Sequence, residues 1–414
     1  MRALRSRNYR LFFAGQSVSL IGTWMTRLAM SWIVYQLTDS AFLLGLTSFA
    51  GQIPAFFVAP IAGVWLDRLD RRRVLVITQV LAMIQSLALA ALAFSGSINL
   101  WWVIALALAQ GVINAFDMPA RQTFVIEMIE DRADLGNAIA LNSSMVNGTK
   151  LVGPAIAGVL VATAGAGVCF LIDGLSYIAV IWSLLAMRVA PPQPYLAPKG
   201  AFQELAEGWN YVAQSPAIRS ILLLLALISI VGMPAIVLMP VVAADILHGG
   251  AHTLGFLMAM SGVGALASAI DLVLRKSVRG LGKRIAISVG LFGVGMVVLG
   301  LSKSLTISLA LMAVIGFGMM QQMAASNTIL QTIAADDKRG RVMSFYTLAI
   351  LGMNPIGSLL AGAVAAKIGV PATMIGAGAI SVAGAVWFYS KLPEIRSVIR
   401  PIYRELGILP SPES

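Results

Sequence analysis

The stretch "GNAIALNSSMVNGTKLVGPAIAG", Gly136–Gly158, returns 204 positions later as "GRVMSFYTLAILGMNPIGSLLAG", Gly340–Gly362. Over the ungapped windows 136–178 and 340–382, Gly136, Gly148, Gly153, Gly158, Gly165 and Gly174 fall on Gly340, Gly352, Gly357, Gly362, Gly369 and Gly378. Each window holds seven glycines and six coincide, far more than chance would align. Such duplication is a mark of membrane transporters, and a parallel repeat implies an axis along the membrane normal with the substrate site between the halves. The glycines read mainly as packing residues, because lipid gives helices no hydrophobic drive to associate and close backbone approach must supply it.

Both copies sit in long apolar runs. The chain has 414 residues, of which 58% are hydrophobic and 11% charged, where soluble domains carry about 25% charged residues. A spanning helix needs about 20 mostly apolar residues. Twelve such stretches occur, near 11–36, 42–66, 74–95, 99–118, 137–163, 168–188, 217–241, 253–275, 285–302, 305–330, 342–366 and 371–391. Strand-like alternation is missing, which argues against a β-barrel. The expected fold is therefore an all-α integral membrane protein of twelve transmembrane helices in two pseudo-symmetric six-helix bundles. Residues 1–188 form the first bundle, 189–216 a cytoplasmic linker, 217–392 the second bundle and 393–414 a cytoplasmic tail. The linker opens with "APPQPYLAPKG", whose prolines forbid helix. It continues with an amphipathic helix whose face of Phe202, Leu205, Trp209 and Val212 suits the inner membrane surface.

A net charge of +11 could suggest nucleic acid, but its placement says otherwise. All but four of the 29 Lys and Arg fall in the tails and alternate loops; Lys303 and Lys367 lie on the opposite side, and Arg27 and Lys150 lie within spans. This positive-inside bias puts both termini in the cytoplasm and leaves the lipid bilayer, not nucleic acid, as the partner. The single cysteine, Cys169, permits no intrachain disulfide. His248 and His252 lack the further ligands of a metal site and read as loop residues. No phosphate loop of the GxxxxGK[ST] type occurs, so ATP is not the direct driving force, and no cofactor or metal is expected. The first apolar run is too long and polar for a cleaved leader. No nucleophile–base constellation points to an enzyme, and no charged ring or filter points to a channel.

The loop after the second span, "GVWLDRLDRRR", fits the signature G-x-x-x-D-R-x-x-R-[RK] at Gly63, Asp67, Arg68, Arg71 and Arg72. In this the chain resembles the major facilitator superfamily. "GPAIAG" on the fifth span looks like the antiporter signature of its drug-exporting branches at Gly153, Pro154 and Gly158, with a different glycine spacing. "CFLIDGLSYIAV", "FQELAEGWNYVAQSPAIRS" and the segment around Lys150 are similar to the transmembrane secretion-effector branch that includes the enterobactin exporter; relatives often carry Arg where this chain has Lys150.

The resemblance implies a charge relay that latches the inner gate, carried here by Asp67, Arg71 and Asp117, with Arg121 as a further member. The residues agree: an acidic residue adds nothing to a positive-inside rule, and Gln110, Asn114, Asp117 and Arg121 line one face of the fourth span. The second half, "RKSVRGLGKR", keeps basic charge without a matching Asp, which makes the expected latch asymmetric.

A charge at mid-bilayer costs at least ~2.5–3.5 kcal/mol, so it faces a partner or a wet cavity. Gln16, Ser19, Thr23 and Arg27 share one stripe, and Ser143, Asn147 and Lys150 share another. From the helical rise Arg27 and Asp173 lie about 24 and 22 Å from the inner edge and Lys150 about 18 Å. Two readings stand equal: an Arg27–Asp173 ion pair that leaves Lys150 facing the cavity, or one structural ion cluster of all three. Asp271, one turn before Arg275, reads as a local pair. Met320, Gln322 and Met323 on the tenth span offer soft apolar and neutral polar surface, and Asn354 occupies the repeat position of Lys150. The central cavity is thus expected to use Gln16, Thr23, Arg27, Gln110, Asn114, Asn147, Lys150, Met320, Gln322, Met323 and Asn354.

The leading expectation is a monomeric secondary exporter of small amphipathic molecules, siderophore- or drug-like, in the bacterial cytoplasmic (inner) membrane. It would work by alternating access, with protons as the coupling ion implied by the resemblance alone. The runner-up is a lysophospholipid transporter or flippase, since a methionine-rich, lightly charged cavity could admit acyl chains. From another class comes a non-transporting membrane receptor or scaffold.

Overall fold

The computed structural model describes residues 2–66, 69–129, 134–187, 201–275, 278–335 and 337–405, with no strand among them. After a short turn at Arg2–Arg5 come α1 (Arg7–Thr38), α2 (Ala41–Leu66), α3 (Arg71–Phe94), α4 (Leu100–Glu127), α5 (Leu135–Ala164) and α6 (Ala166–Ala186). Then follow α7 (Ala201–Gln214) and α8 (Pro216–Val231), which continues with irregular helical pitch from Met233 to Ile246. The chain closes with α9 (Ala251–Val273), α10 (Leu281–Leu301), α11 (Leu305–Ile333), α12 (Arg339–Thr347), α13 (Met353–Ile368) and α14 (Val370–Glu405). The "APPQPYLAPKG" segment lies outside the described residues, as do Phe202 and Leu205 by side chain.

Eleven of the described helical stretches are long and apolar enough to cross a bilayer. The twelfth, α1, has ample length at 32 residues; Gln16, Ser19, Thr23 and Arg27 lower its apolarity. Local chemistry marks the ends. Asn99 caps α4 by accepting from the Trp102 N–H, and Ser215 caps α8, with Pro216 at the first helical position where its missing N–H costs nothing. Gly165 (φ 83°) and Gly369 (φ 85°) stand at equivalent repeat positions and break α5 from α6 and α13 from α14. Only glycine adopts that backbone at little cost.

Two compact units divide the chain, Met1–Ala197 with Val237–Gly262, and Pro198–Ile236 with Val263–Ser414. In the first, α1 packs on α5 and α6, α3 on α6, and α2 on α4. The end that carries the chain's N-terminus holds a core of Tyr9, Phe12, Phe124, Met128, Leu184 and Met187. There the Tyr9 hydroxyl donates to the Ala138 carbonyl (2.7 Å), and burial pushes it up to about 12. In the second, α10 packs on α11 and α14, and α8 on α13 and α14. The α7 helix sits on the start of α12: Trp209 packs against Phe345 at 6.0 Å between ring centroids, and the Tyr211 hydroxyl accepts from the Ala335 N–H at 3.2 Å. Trp209 stays 62% exposed while Val212 is buried, so the predicted apolar face is divided between protein and surroundings.

The repeated glycines do the same work twice. A Cβ on Gly153 would stand 2.5 Å from the Trp24 Cβ of α1, and one on Gly357 would stand 2.5 Å from the Pro234 Cγ at the seventh span. A Cβ on Gly174 would meet Leu87 of α3 at 2.7 Å, and one on Gly378 the Gly293 carbonyl of α10 at 2.5 Å. Gly136, Gly148 and Gly340 differ, with nothing within 4 Å of an added Cβ. The neighbours Gly376 and Gly378 therefore form a test pair. Gly378→Ala drives a methyl into backbone and is expected to cost ~1–3 kcal/mol, the range for overpacking. Gly376→Ala enters open space and should be neutral or stabilising by up to ~1 kcal/mol. Thermal unfolding of the purified chain reads both; equal melting temperatures would refute the assignment.

Candidate functional site

At the same end of the first unit as the N-terminus, charges join the helix termini. Asp67 and Arg68 of the signature lie outside the described residues. Asp70 caps α3, accepting from the N–H groups of Arg72 (3.0 Å) and Arg73 (3.3 Å). That places Arg71, the first residue of α3, against Glu127, the last of α4, and the two form an ion pair. Arg72 turns the other way and donates to the carbonyls of Leu184 (2.8 Å) and Leu185 (2.7 Å), which the end of α6 leaves without helical partners.

Asp117 is only 3% exposed and fully engaged. It accepts from Gln79 Nε2 (2.7 Å) and Thr78 Oγ1 (3.1 Å) of α3 and pairs with Arg121 one turn along its own helix. Of the expected relay, Asp117 and Arg121 pair with each other, Arg71 meets Glu127, and Asp67 lies outside the described residues. The ten residues from Asp117 to Glu127 are about 15 Å of helix, too far for one guanidinium to serve both. Glu127 escaped the sequence reading, although it is an acidic residue at a basic inner loop, the same signal that singled out Asp67.

Further along the helices, α1, α5 and α6 bring three charges into one region: Asp173 is buried, Lys150 half-buried and Arg27 exposed. Asp173 is 1% exposed; its Oδ2 accepts from Ser86 Oγ of α3 at 2.8 Å, and its Oδ1 has no hydrogen-bond partner among the described residues. That Oδ1 lies against Gly22, where an added Cβ would stand 2.7 Å away. Arg27 and Asp173 are electrostatic neighbours, but no contact within 4.0 Å joins them among the described residues. The Arg27 guanidinium instead lies over the ring of Trp24, 4.8 Å from its centroid, and the Lys150 ammonium lies 5.7 Å from the same centroid. The indole face one turn back on α1 attracts the guanidinium through its negative quadrupole. Trp24 was not foreseen, because its place opposite α5 is a tertiary fact.

Several of the other polar side chains bond within their own helices, though Gln110 Oε1 is buried without a partner among the described residues. Thr23 donates to the Ser19 carbonyl (3.1 Å), Asn147 to the Ser143 carbonyl (2.9 Å), and Gln110 to Asn114 Oδ1 (3.1 Å). Gln16 is buried at 3% exposure. In the second unit Met320 and Met323 are half-buried, and Gln322 is buried with its Nε2 unpartnered among the described residues. Asn354 follows a π-helical turn at Leu348–Gly352 that the matching stretch of α5 lacks. Gly158 and Pro154 of the fifth-span motif bring α5 onto α9: a Cβ on Gly158 would stand 2.7 Å from the Gly255 Cα, and one on Gly255 2.8 Å from the Pro154 carbonyl.

Residues 1–403 match the family model MFS_3, described as transmembrane secretion effector. The chain belongs to that family, within the major facilitator superfamily. It is 25% identical over 384 residues to the Staphyloferrin A transporter of Staphylococcus aureus, covering 92% of this chain and 95% of that one. To the multidrug efflux pump Tap of Mycolicibacterium fortuitum it is 27% identical over 364 residues, covering 86% and 88%. The fold is that of a bacterial homolog of the human lysosomal transporter Spinster, at TM-score 0.67 with 16% identity and 100% of both chains covered. It is a transporter and not an enzyme.

The second half of this secretion-effector chain also carries more of the inner-gate pattern than expected. The same 204 offset takes Asp67, Arg71, Arg72 and Asp117 onto Asp271, Arg275, Lys276 and Gln321. Asp271 does not pair with Arg275; it pairs with Arg284 of α10 and accepts from Gln321 Nε2 at 3.3 Å. Gln321 in turn accepts from Ser268 Oγ at 2.7 Å. The sequence reading noted the basic run and missed the acid, because Asp271 stands four residues before the "RKSVRGLGKR" segment that was compared. For the first half, a double-mutant cycle on Arg71→Ala and Glu127→Ala in thermal unfolding should show a coupling of about 1 kcal/mol. Strictly additive losses would mean the two residues do not act as a pair.

Proposed function

We propose that this chain is an exporter of small amphipathic molecules, siderophore- or drug-like, that works by alternating access and is driven by protons. The observation that carries the reading is the pair of cations Arg27 and Lys150, set deep in helices whose neighbouring polar residues bond locally. A transporter can keep such charges only where water and substrate reach them. The relatives' names, a siderophore transporter and a drug pump, agree with that chemistry. In this reading Gln16, Thr23, Arg27, Gln110, Asn114, Asn147, Lys150, Met320, Gln322, Met323 and Asn354 face the substrate. Asp67, Arg71, Asp117 and Arg121, with Glu127, hold the inner gate. The protein acts as a monomer in the bacterial inner membrane with both termini in the cytoplasm.

Everted vesicles from expressing cells, given a siderophore and drug panel, should accumulate at least one member when respiration builds a proton gradient and lose it on uncoupling. Lys150→Ala at wild-type expression should transport about tenfold more slowly or worse. No gradient-dependent movement of any panel member would overturn the exporter reading, and full activity of the variant would remove Lys150 from the site.

A further inference from the structure

Arg27 and Lys150 converge on one indole, with Trp24 lying between α1 and α5 as their common neighbour. Gly153 makes this possible. It lies one turn after Lys150, and its lack of a side chain admits the Trp24 Cβ and the Ile21 carbonyl to the surface of α5. Two turns therefore face each other, Trp24 with Arg27 on one helix and Lys150 with Gly153 on the other. Among the described residues neither cation has a carboxylate within 4.0 Å. Asp173 is an electrostatic neighbour of Arg27 but not an ion-pair partner: one oxygen is bound to Ser86 and the other faces α1 at Gly22.

Two like charges beside one aromatic ring repel each other, and cation–π attraction of about 0.5–2 kcal/mol each does not replace a counter-ion. A cluster of this kind is completed by an anion that arrives and leaves. The indole offers a flat apolar surface, the guanidinium a two-pronged donor for a carboxylate, and the ammonium a point charge.

We infer that Trp24, Arg27 and Lys150 form a carboxylate-binding subsite, and that the transported molecules include amphiphiles carrying a carboxylate next to a flat apolar group. Gly153 acts as the positioning residue that lets the indole in. The inference rests on the exporter reading for its purpose, but its binding chemistry stands or falls separately.

The test uses purified full-length protein in nanodiscs and a matched pair of probes, 1-naphthylacetate and its neutral amide 1-naphthylacetamide, with binding measured directly. Wild type should prefer the carboxylate by about tenfold or more. Lys150→Gln and Arg27→Gln should each bring that ratio close to one, while Lys150→Arg, which keeps the charge, should retain it. Gly153→Leu should lower the ratio by pushing Trp24 off α5. Monodispersity and melting temperature of every variant separate loss of the site from loss of the fold. A wild type that shows no preference, or binds neither probe, overturns the inference, as does a preference that survives in both neutral variants. Gradient-driven export of uncharged panel members could persist in that case, so failure here is distinguishable from failure of the exporter reading.

Discussion

Hydrocarbon gives a charged or hydrogen-bonding group nothing in exchange for its lost water, and the polar features of this chain are arranged around that constraint. Most ionic groups meet it by engagement with protein. Asp117 accepts from Thr78, Gln79 and Arg121, Arg71 meets Glu127, and Arg72 covers the carbonyls that end α6. Arg27 and Lys150 are the departures. They lean on an aromatic face instead of a carboxylate, and that departure is what singles them out from charges that only set topology.

The same solvent removes the usual reason for helices to associate, so association falls to close backbone approach. Glycines on the repeat meet this need in both halves, Gly153 and Gly174 in the first and Gly357 and Gly378 in the second. Packing and chemistry are connected at Gly153. The residue that lets α1 touch α5 also brings an indole beside Lys150, so a substitution aimed at packing would also alter the electrostatics of the deep site.

The halves share a scaffold and differ in charge. Lys150 becomes Asn354, Asp173 becomes Ala377 and Asp117 becomes Gln321 at the 204 offset. The deep charges are thus confined to the first half. At the inner end the second half keeps a milder version, with Asp271 held by Arg284 and Gln321.

The all-α class, the span positions and the duplication were legible in the amino-acid sequence, because each depends on composition, length and periodicity within one helix. The candidate site was legible as a list of polar stripes, since a charge within an apolar run declares itself. Partnership was not. Trp24 under Arg27 and Glu127 beside Arg71 were not foreseen, and Asp271, expected on Arg275, meets Arg284. Each of these outcomes turns on how far one helix stands along and around another, a matter of a few ångströms of rise and part of a turn. Spacing along a single helix carries no record of that. The sequence by itself determined which groups had to be solved by the fold, and only the packing of α1 on α5 and of α3 on α4, and the approach of Arg284 to Asp271, decided with whom.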